Sequence, residues 1–409
     1  MKKISLEEWE KKYIVGDVQR FDQKNTMFIR PGWDADINRQ LDDWSFTGHL
    51  REKAGYKLED QALRWASSRG TMMALFNKHK PNPGPATRAL GKMMSEGNPM
   101  MSAMGGYSPP DGAKTDVSDP KKTTLMIKKA ARWFGADLVG ICKLDKRWVY
   151  SHTYEGQPFS GGPDLVPGES IPQEMPEAMQ YVVVMAFEMD YELMKYMPTY
   201  LANTATRIGY SRMAITNNYM THFINNLGFQ AIDCSINDVA LSVPMALQAG
   251  LGDLARNGLL ITRKYGPRVR LNNVITDLPL EVDTPIDFGV RELCTACEIC
   301  AEKCPSQSIM YGEPTTEPHN ISNVGGVLKW PINAETCRMY WGRGHTPCAM
   351  CITVCPYNKP DTLFHRFVRW CTDYVRWADP LYVKADIWSG YGKTKEADRF
   401  WEEWEPRRN

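Results

Sequence analysis

Eight of the 11 cysteines of this 409-residue chain lie in one stretch, between Cys294 and Cys355. The other three, Cys142, Cys234 and Cys371, are spread over the rest of the sequence. Cysteines gathered in this way are more typical of metal ligation than of a disulfide framework. The sequence therefore predicts that this stretch folds around inorganic groups held by its thiolates.

The first half of the stretch has the spacing of a bacterial 4Fe-4S site, Cys-x2-Cys-x2-Cys-x3-Cys-Pro, ending at Cys304-Pro305. In that motif three thiolates bind one cubane and the fourth reaches a neighbouring cluster. The second half is a stretched version that ends at Cys355-Pro356. Two zinc sites are the alternative, but zinc requires neither a crossed pairing nor the Cys-Pro ends. The pairing of two-cluster ferredoxins predicts two ligand groups: Cys294, Cys297, Cys300 and Cys355 for one cluster, and Cys304, Cys337, Cys348 and Cys351 for the other.

Two adjacent cubanes form an electron relay, and a simple ferredoxin needs far less chain than this. The residues before the cysteines must hold whatever receives the electrons. The formal net charge of +1 gives no support to a sequence-independent nucleic-acid binder, and no apolar run approaches the roughly 18 residues of a membrane span. No Gly-x-Gly-x-x-Gly turn indicates a flavin or nicotinamide fold, and the seven histidines form no close ligand pair.

Hydrophobic patterns beyond residue 120 alternate between helices and strands, which favours an α/β or an α+β fold. Helical spacing extends across residues 208–227, and residues 181–187 are predicted to form a buried strand. Residues 259–262 and 269–275 are predicted to pair as strands across the turn at Gly266-Pro267.

A series of short motifs resembles the corrinoid-dependent reductive dehalogenases. Each motif is weak alone, but their order is specific, and the resemblance extends from about residue 122 to the end of the chain. Besides both cysteine motifs, it rests on Leu227-Gly228-Phe229, Asn237-Asp238, Leu241-Ser242-Val243-Pro244-Met245-Ala246, Ala249-Gly250-Leu251-Gly252, Tyr265-Gly266-Pro267-Arg268-Val269-Arg270-Leu271, Pro285-Ile286-Asp287-Phe288-Gly289-Val290 and Gly390-Tyr391-Gly392-Lys393.

The resemblance implies an α+β fold in which a nitroreductase-like cobalamin-binding core precedes a ferredoxin-like unit with two 4Fe-4S clusters. The implied cofactors are those clusters and a cobalamin or other cobamide held base-off, consistent with the absence of an Asp-x-His-x-x-Gly motif. The implied domains are an N-terminal wrapping unit (1–120), the cobamide-binding core (121–288, with an insertion at about 146–178), the two-cluster unit (289–359) and a C-terminal closing segment (360–409).

By the same resemblance, Tyr210 is the proton donor, Arg270 stabilises the resulting tyrosinate, and Asn237 contacts the halide or substrate. A phenol has an ordinary pKa of about 10, so a nearby cation is needed if its anion is to persist. The simpler interpretations are that Tyr210 is a core aromatic, with Tyr219 as the substitute donor, and that Arg270 belongs to a surface ion pair. Trp341 is a candidate cofactor-site residue that either lines the substrate pocket or shields a cluster.

The implied activity removes halogen, chloride above all, from a small organohalide with electrons from a low-potential donor. One alternative is an epoxyqueuosine-reductase-like enzyme, which would need basic and stacking residues for tRNA, and the charge balance disfavours it. The other is a non-catalytic electron carrier or corrinoid-handling protein.

The family is typically exported by the twin-arginine pathway to the outer face of the cytoplasmic membrane. There a small membrane-anchor protein holds it peripherally, and a homodimer is common. No nucleic-acid partner is expected. The sequence has no Arg-Arg leader, which fits a mature form.

Overall fold

A four-stranded antiparallel sheet, ordered β2-β5-β9-β6, lies at the centre of the fold in the computed structural model. The structure describes residues 2–41, 50, 53–71, 114–155, 168–234, 239–398 and 400–402. The strands are β1 (Lys2–Lys3), β2 (Leu138–Lys143), β3 (His152–Glu155), β4 (Glu169–Pro172), β5 (Tyr181–Glu188), β6 (Ala231–Cys234), β7 (Asp253–Leu254), β8 (Leu260–Ile261), β9 (Val269–Thr276) and β10 (Ile286–Asp287).

Helices cover the central sheet, and short helices alternate with irregular loops in the cysteine-rich region. They are α1 (Leu6–Tyr13), α2 (Ala35–Gln40), α3 (Leu58–Ser67), α4 (Pro120–Phe134), α5 (Tyr191–Met194), α6 (Tyr200–Asn226), α7 (Ser242–Gln248), α8 (Val290–Ala296), α9 (Ile299–Glu302), α10 (Ala334–Arg343), α11 (Met350–Thr353), α12 (Leu363–Tyr374) and α13 (Asp379–Ser389). Every strand pair between these elements is antiparallel. The predicted α+β class is thus confirmed.

The central residues of strand β5, Val182 to Phe187, are all fully buried, which shows that both faces of the strand are covered. A continuous apolar run is what a strand needs when helices pack on both sides of the sheet. Strand β9 lies beside it and pairs Arg270 with Phe187 across the ladder. The position of Arg270 is therefore set by its pairing with a deeply buried strand.

The predicted pairing of residues 259–262 with 269–275 is wrong. Strand β8 pairs with β7, and β9 instead lies between β5 and β6 in the central sheet. Thr262 and Gly266 exchange two backbone hydrogen bonds of 2.9 Å, which close a tight loop between β8 and β9. Between β5 and β6, the apolar residues of β9 bury more surface than they would against the two-residue strand β8.

Helix α6 crosses the sheet and is the longest helix among the described residues. Its first turn begins at Thr199, whose hydroxyl accepts a hydrogen bond from the Ala202 N–H, the usual role of a threonine N-cap. Its first two turns, residues 200–206, are buried on every side, so this end of α6 runs through the interior.

The N-terminal segment joins the core to the cysteine-rich region. Strand β1 pairs with β10, and Ile14 forms a β-bridge with Val327. Within the segment predicted as an insertion, β3 and β4 form a separate antiparallel pair. In the described part of the chain, no helix is long and apolar enough to cross a membrane.

Candidate functional site

Tyr210 and Arg270 meet where helix α6 crosses strand β9. The Arg270 Nη1 donates to the Tyr210 hydroxyl at 3.3 Å, and the guanidinium carbon lies 4.8 Å from the centre of the tyrosine ring. The Arg270 Nη2 also reaches the Thr206 hydroxyl, one turn before Tyr210, at 3.4 Å. Among the described residues Arg270 has no carboxylate within 4 Å, so its charge acts mainly on the phenol.

Gly209 makes room for this contact. A β-carbon at this position would lie 3.1 Å from the Arg270 Cγ and 3.6 Å from the Met189 Cγ. The first distance is tighter than ordinary van der Waals contact, so any side chain here would push Arg270 away from the helix. The sequence pair Gly209-Tyr210 thus supplies both the phenol and the space for its cationic partner.

Two further arginines, not singled out from the sequence, meet at Asn203 on the helix that carries Tyr210. The Asn203 Oδ1 accepts from the Arg64 Nε at 2.8 Å and from the Arg207 Nε at 3.3 Å. Arg207 is close enough to Tyr210 and Arg270 for both to affect its pKa. Its spacing from Tyr210, three residues along a helix, is the signal that could have identified it.

Asn237 lies outside the described residues, so its relation to Tyr210 stays a prediction. The Arg270 Nε is buried and has no hydrogen-bond partner among the described residues. Such an unused donor fits a large cofactor with amide side chains, such as a corrinoid. Two surface cavities of about 300 and 320 Å³ are lined by neither Tyr210 nor any of the eight clustered cysteines.

The first predicted group of cysteines comes together in the structure. Burial raises the pKa of the Cys294, Cys300 and Cys355 thiols. Other members of the group raise these pKa values further. Cys300 and Cys297 raise the pKa of Cys294, Cys355 raises that of Cys300, and Cys294 raises that of Cys355. A buried thiolate is unfavourable without a cation, which is what the iron of a cubane supplies.

The second predicted group forms an adjacent cluster of thiols. Burial raises the pKa of Cys337 to about 12 and that of Cys348 to about 11, and Cys304 adds to both effects. Burial also raises the pKa of Cys351, with contributions from Cys348, Cys337, Cys300 and Cys304. Because Cys300 of the first group raises the pKa of Cys351 of the second group, the two groups lie side by side. Within the described ranges, no three His, Cys, Asp or Glu side chains are placed so that they could hold a single metal ion.

The second group is the one that packs against the helix carrying Tyr210. Cys351 and Ile352 belong to the same apolar cluster as Ala202 and Ala205 of α6. The Thr353 hydroxyl donates to the Met194 carbonyl at 2.9 Å, next to the start of that helix. The cysteine-rich region and the Tyr210 site therefore share one packed interior.

Trp341 lies in helix α10, one turn after Cys337. Its indole lies close enough to the Cys337 thiol to oppose, in part, the burial that raises the pKa of that cysteine. Its ring also contacts Phe28, with the ring centres 5.9 Å apart. These contacts favour the cluster-shielding role over a place in the substrate pocket.

Arg256 is a third residue that the sequence did not single out. Its side chain is 1% exposed and donates to the Cys294 carbonyl at 2.8 and 3.1 Å and to the carbonyls of Met310 and Gly312 at 2.8 and 3.0 Å. Its backbone N–H points at the Cys294 sulfur at 3.5 Å. Arg256 thus ties the first cysteine to the loop after the first motif.

We expect Arg256→Gln to destabilise the cysteine-rich region by about 3 kcal/mol, because buried carbonyls would lose a charged donor. The measurements are iron per chain and the midpoint of thermal unfolding. Arg366→Gln is the matched control, since the Arg366 side chain is 59% exposed and pairs with Asp361, and it should leave both the iron content and the unfolding midpoint nearly unchanged. Equal iron content in the two variants would contradict the role of Arg256.

Comparison with known proteins agrees with this geometry. A family model described as a 4Fe-4S dicluster domain matches residues 293–359. The tetrachloroethene reductive dehalogenase of Sulfurospirillum multivorans is 36% identical over 308 residues, which cover 71% of this chain and 61% of that protein. The chloroethene reductive dehalogenase of Dehalococcoides mccartyi (strain VS) is 26% identical over 98% of this chain and 78% of its own length.

A solved structure titled as the catabolic reductive dehalogenase NpRdhA has the same fold. Its TM-score is 0.70 at 23% identity, over 98% of this chain and 50% of that one. The chain belongs to the reductive dehalogenase family. It spans 61% of the length of the Sulfurospirillum relative and about half of the solved structure.

Proposed function

We propose that this chain carries the catalytic site of a corrinoid-dependent reductive dehalogenase. The reaction replaces a carbon-halogen bond by a carbon-hydrogen bond, consuming two electrons and one proton and releasing one halide ion. The observation that carries the proposal is the contact of Arg270, on strand β9, with Tyr210, on helix α6. The same helix packs against Cys351 of the second cysteine group. That arrangement combines a proton source with an electron route.

The electron route uses two 4Fe-4S clusters. Cys294, Cys297, Cys300 and Cys355 hold the first cluster, and Cys304, Cys337, Cys348 and Cys351 hold the second. The second cluster is nearer the catalytic site, which the packing of Cys351 against α6 supports. Trp341 shields it from solvent. When bound, a base-off cobamide supplies the strongly reducing cobalt centre that receives these electrons.

Tyr210 acts as the proton donor to the carbon that loses its halogen. Arg270 lowers the cost of this step, because a guanidinium at hydrogen-bond distance stabilises the developing phenolate. Asn237 is proposed to contact the halide or the substrate. The small chlorinated substrate is carried over from the relatives' names, since the chain spans only part of their length.

Family membership also supports proposals on domains, partners and location. The proposed domains are an N-terminal wrapping unit (1–120), the cobamide-binding core (121–288), the two-cluster unit (289–359) and a C-terminal closing segment (360–409). The proposed partners are a low-potential electron donor, a small membrane-anchor protein and a second copy of the chain, with no nucleic acid. The proposed location is the outer face of the cytoplasmic membrane, reached by twin-arginine export.

The test is to purify the protein anaerobically with cobalamin supplied and to measure cobalt, iron and halide release. We expect about one cobalt and eight iron per chain, with halide released from small chlorinated compounds under a viologen donor. Eight iron without cobalt would favour the electron carrier. Cobalt and iron with turnover of an epoxyqueuosine tRNA stem, but no halide release, would favour the epoxyqueuosine-reductase class.

A further inference from the structure

Helix α12 buries polar residues and exposes apolar ones, which is the reverse of an ordinary surface helix. His365 and Thr372 are buried, and the side chain of Asp373 is only 3% exposed. Its large apolar side chains are between 52 and 81% exposed: Leu363, Phe364, Phe367, Trp370 and Tyr374. These five side chains form what we call the aromatic face of α12. Such a reversed helix indicates that its outer face meets another apolar body.

The orientation of α12 is fixed by polar contacts on its buried side. The Arg263 Nη1 lies 2.6 Å from the Asp373 Oδ1, and the His365 Nδ1 lies 2.7 Å from the Thr362 hydroxyl. Rotating the helix to bury its rings would break both contacts. The aromatic face is therefore held outward by the fold itself.

The aromatic face is one continuous surface. Leu363, Phe367, Trp370 and Tyr374 follow one another at spacings of four, three and four, so they line one side of the helix. The rings of Phe367 and Trp370 are stacked with their centres 6.2 Å apart, and those of Trp370 and Tyr374 are 5.3 Å apart. Nine of the 23 large apolar side chains that are exposed among the described residues lie within residues 363–388. Exposed apolar surface this concentrated is typical of a contact with a partner or a membrane.

The charges around this face favour an anionic partner. Residues 360–389 contain four carboxylate side chains, each at most 22% exposed: Asp361, Asp373, Asp379 and Asp386. In contrast, Arg366 is 59% exposed and Lys384 is also exposed. Arg366 and Arg369 share Asp361 as their carboxylate. Within residues 360–389 the solvent thus meets aromatic rings and positive charge, but no exposed carboxylate.

We propose that α12 docks on an anionic lipid surface, with its aromatic face in the headgroup region and Arg366 beside the lipid phosphates. Trp and Tyr are the side chains enriched at the boundary between headgroups and acyl chains, and Arg and Lys are attracted to anionic headgroups. Contact with a second copy would instead bring together two surfaces that offer no exposed carboxylate to each other's cations. The inference deepens the location given above and, in that respect, rests on the proposed function.

The same segment covers the first cysteine group. Val383 of α13 belongs to one apolar cluster with Cys297. Arg376, between α12 and α13, donates to the Gly289 carbonyl at 2.6 Å, where helix α8 of the first cysteine motif begins. In the proposed function electrons enter at this group, because the second group is nearer to Tyr210. Docking through α12 thus brings the electron entry point close to the lipid surface.

Lipid binding can be measured without turnover. The protein is purified with cobalamin and both clusters in place and is floated in a density gradient with phosphatidylglycerol vesicles or with phosphatidylcholine vesicles. We expect flotation with phosphatidylglycerol, and quenching of tryptophan fluorescence by lipids that carry a nitroxide near the headgroup. Phe367→Ser combined with Trp370→Ser should weaken binding about tenfold or more, because two rings no longer become buried in lipid. Arg366→Gln should weaken binding to phosphatidylglycerol about fivefold, since it removes one cation from an anionic surface.

Leu125→Ser combined with Trp133→Ser is the matched control. Both residues lie on α4 and are 68 and 77% exposed, so this variant also replaces two exposed apolar side chains by serine. It should float like the original protein. Iron and cobalt contents and the circular dichroism spectrum establish that each variant is folded and loaded. Halide release under a soluble viologen donor should stay within about twofold in all of these variants, as is usual for exposed positions.

Four outcomes would overturn the proposal. The first is no flotation of the original protein, and the second is flotation that survives Phe367→Ser with Trp370→Ser or is lost equally in the α4 control. The third is a dimer that this pair of substitutions dissociates and that does not float, which would assign the face to a second copy. The fourth is binding to bacterial membranes but not to lipid vesicles, with loss after protease treatment of the membranes, which would assign it to a membrane protein.

The same samples separate this proposal from the proposed function. Halide release without vesicle binding would reject the docking surface and leave the dehalogenase function standing. Vesicle binding without release of halide from any organohalide would reject the function and leave the docking surface standing.

Discussion

Tyr210→Phe should lower the rate of halide release by about 10² to 10⁴-fold, because a positioned general acid contributes that much to a reaction. The substitution removes only the hydroxyl that accepts from Arg270, so the ring remains packed against α6 and β9. Iron and cobalt contents should stay at the values of the original protein. The measurement is halide release under a viologen donor, with metal analysis of the same sample.

The control for this variant is Tyr219→Phe. Tyr219 lies on the same helix, but it is 51% exposed and packs its ring on Phe134 at 5.4 Å. Its replacement should leave halide release unchanged within about twofold, as is usual for exposed positions. Full activity in Tyr210→Phe, or loss of activity in Tyr219→Phe, would contradict the assignment of Tyr210 as the proton donor.

Cys300→Ala should remove about four of eight iron atoms per chain, because a cubane that loses one of its four thiolates is poorly held. Cys304→Ala should remove the other four. The two cysteines belong to the same sequence motif, yet their thiols lie in different groups. Iron analysis and the electron paramagnetic resonance spectra of the reduced proteins should therefore show a different surviving cluster in each variant.

Cys142→Ala is the control, because Cys142 is buried in the central sheet at the β2 position that pairs with Val182. It should retain all of the iron. Cys300→Ala and Cys304→Ala should also lose turnover with a natural donor, because the loss of either cluster interrupts the electron relay. If Cys300→Ala and Cys304→Ala lose the same spectral signal, the crossed ligand assignment is wrong.

The fold was predictable where the sequence carries strong local patterns. The apolar run of β5 and the long periodic stretch of α6 were both found, and the cysteine spacing predicted two groups that the structure brings together. The partner of β9 was not found, because strand pairing depends on which neighbour buries more surface. Short strands such as β7 and β8 leave no pattern long enough to reveal this competition.

The site was predictable only where a motif marks it. The resemblance predicted a contact between Tyr210 and Arg270, which the structure shows, but nothing in the sequence pointed to Arg64, Arg207 or Arg256. Arg64 meets Asn203 from 139 positions away, and Arg256 meets Cys294 from 38 positions away. An isolated arginine in a sequence does not indicate whether it will be exposed or buried. Only the fold shows which of them reach the interior together.

The crossed arrangement of the cysteines also governs the order of events during biosynthesis. In the proposed ligand assignment, Cys355 completes the group of Cys294, Cys297 and Cys300, and Cys348 and Cys351 complete the group of Cys304 and Cys337. A ribosome must therefore pass Cys351 before any cubane can have four ligands. A polypeptide that ends between Cys337 and Cys348 has five of the eight cysteines and completes neither cluster. Translation products that end before Cys351 would therefore lack a full ligand set for either proposed cluster and would have no working electron relay.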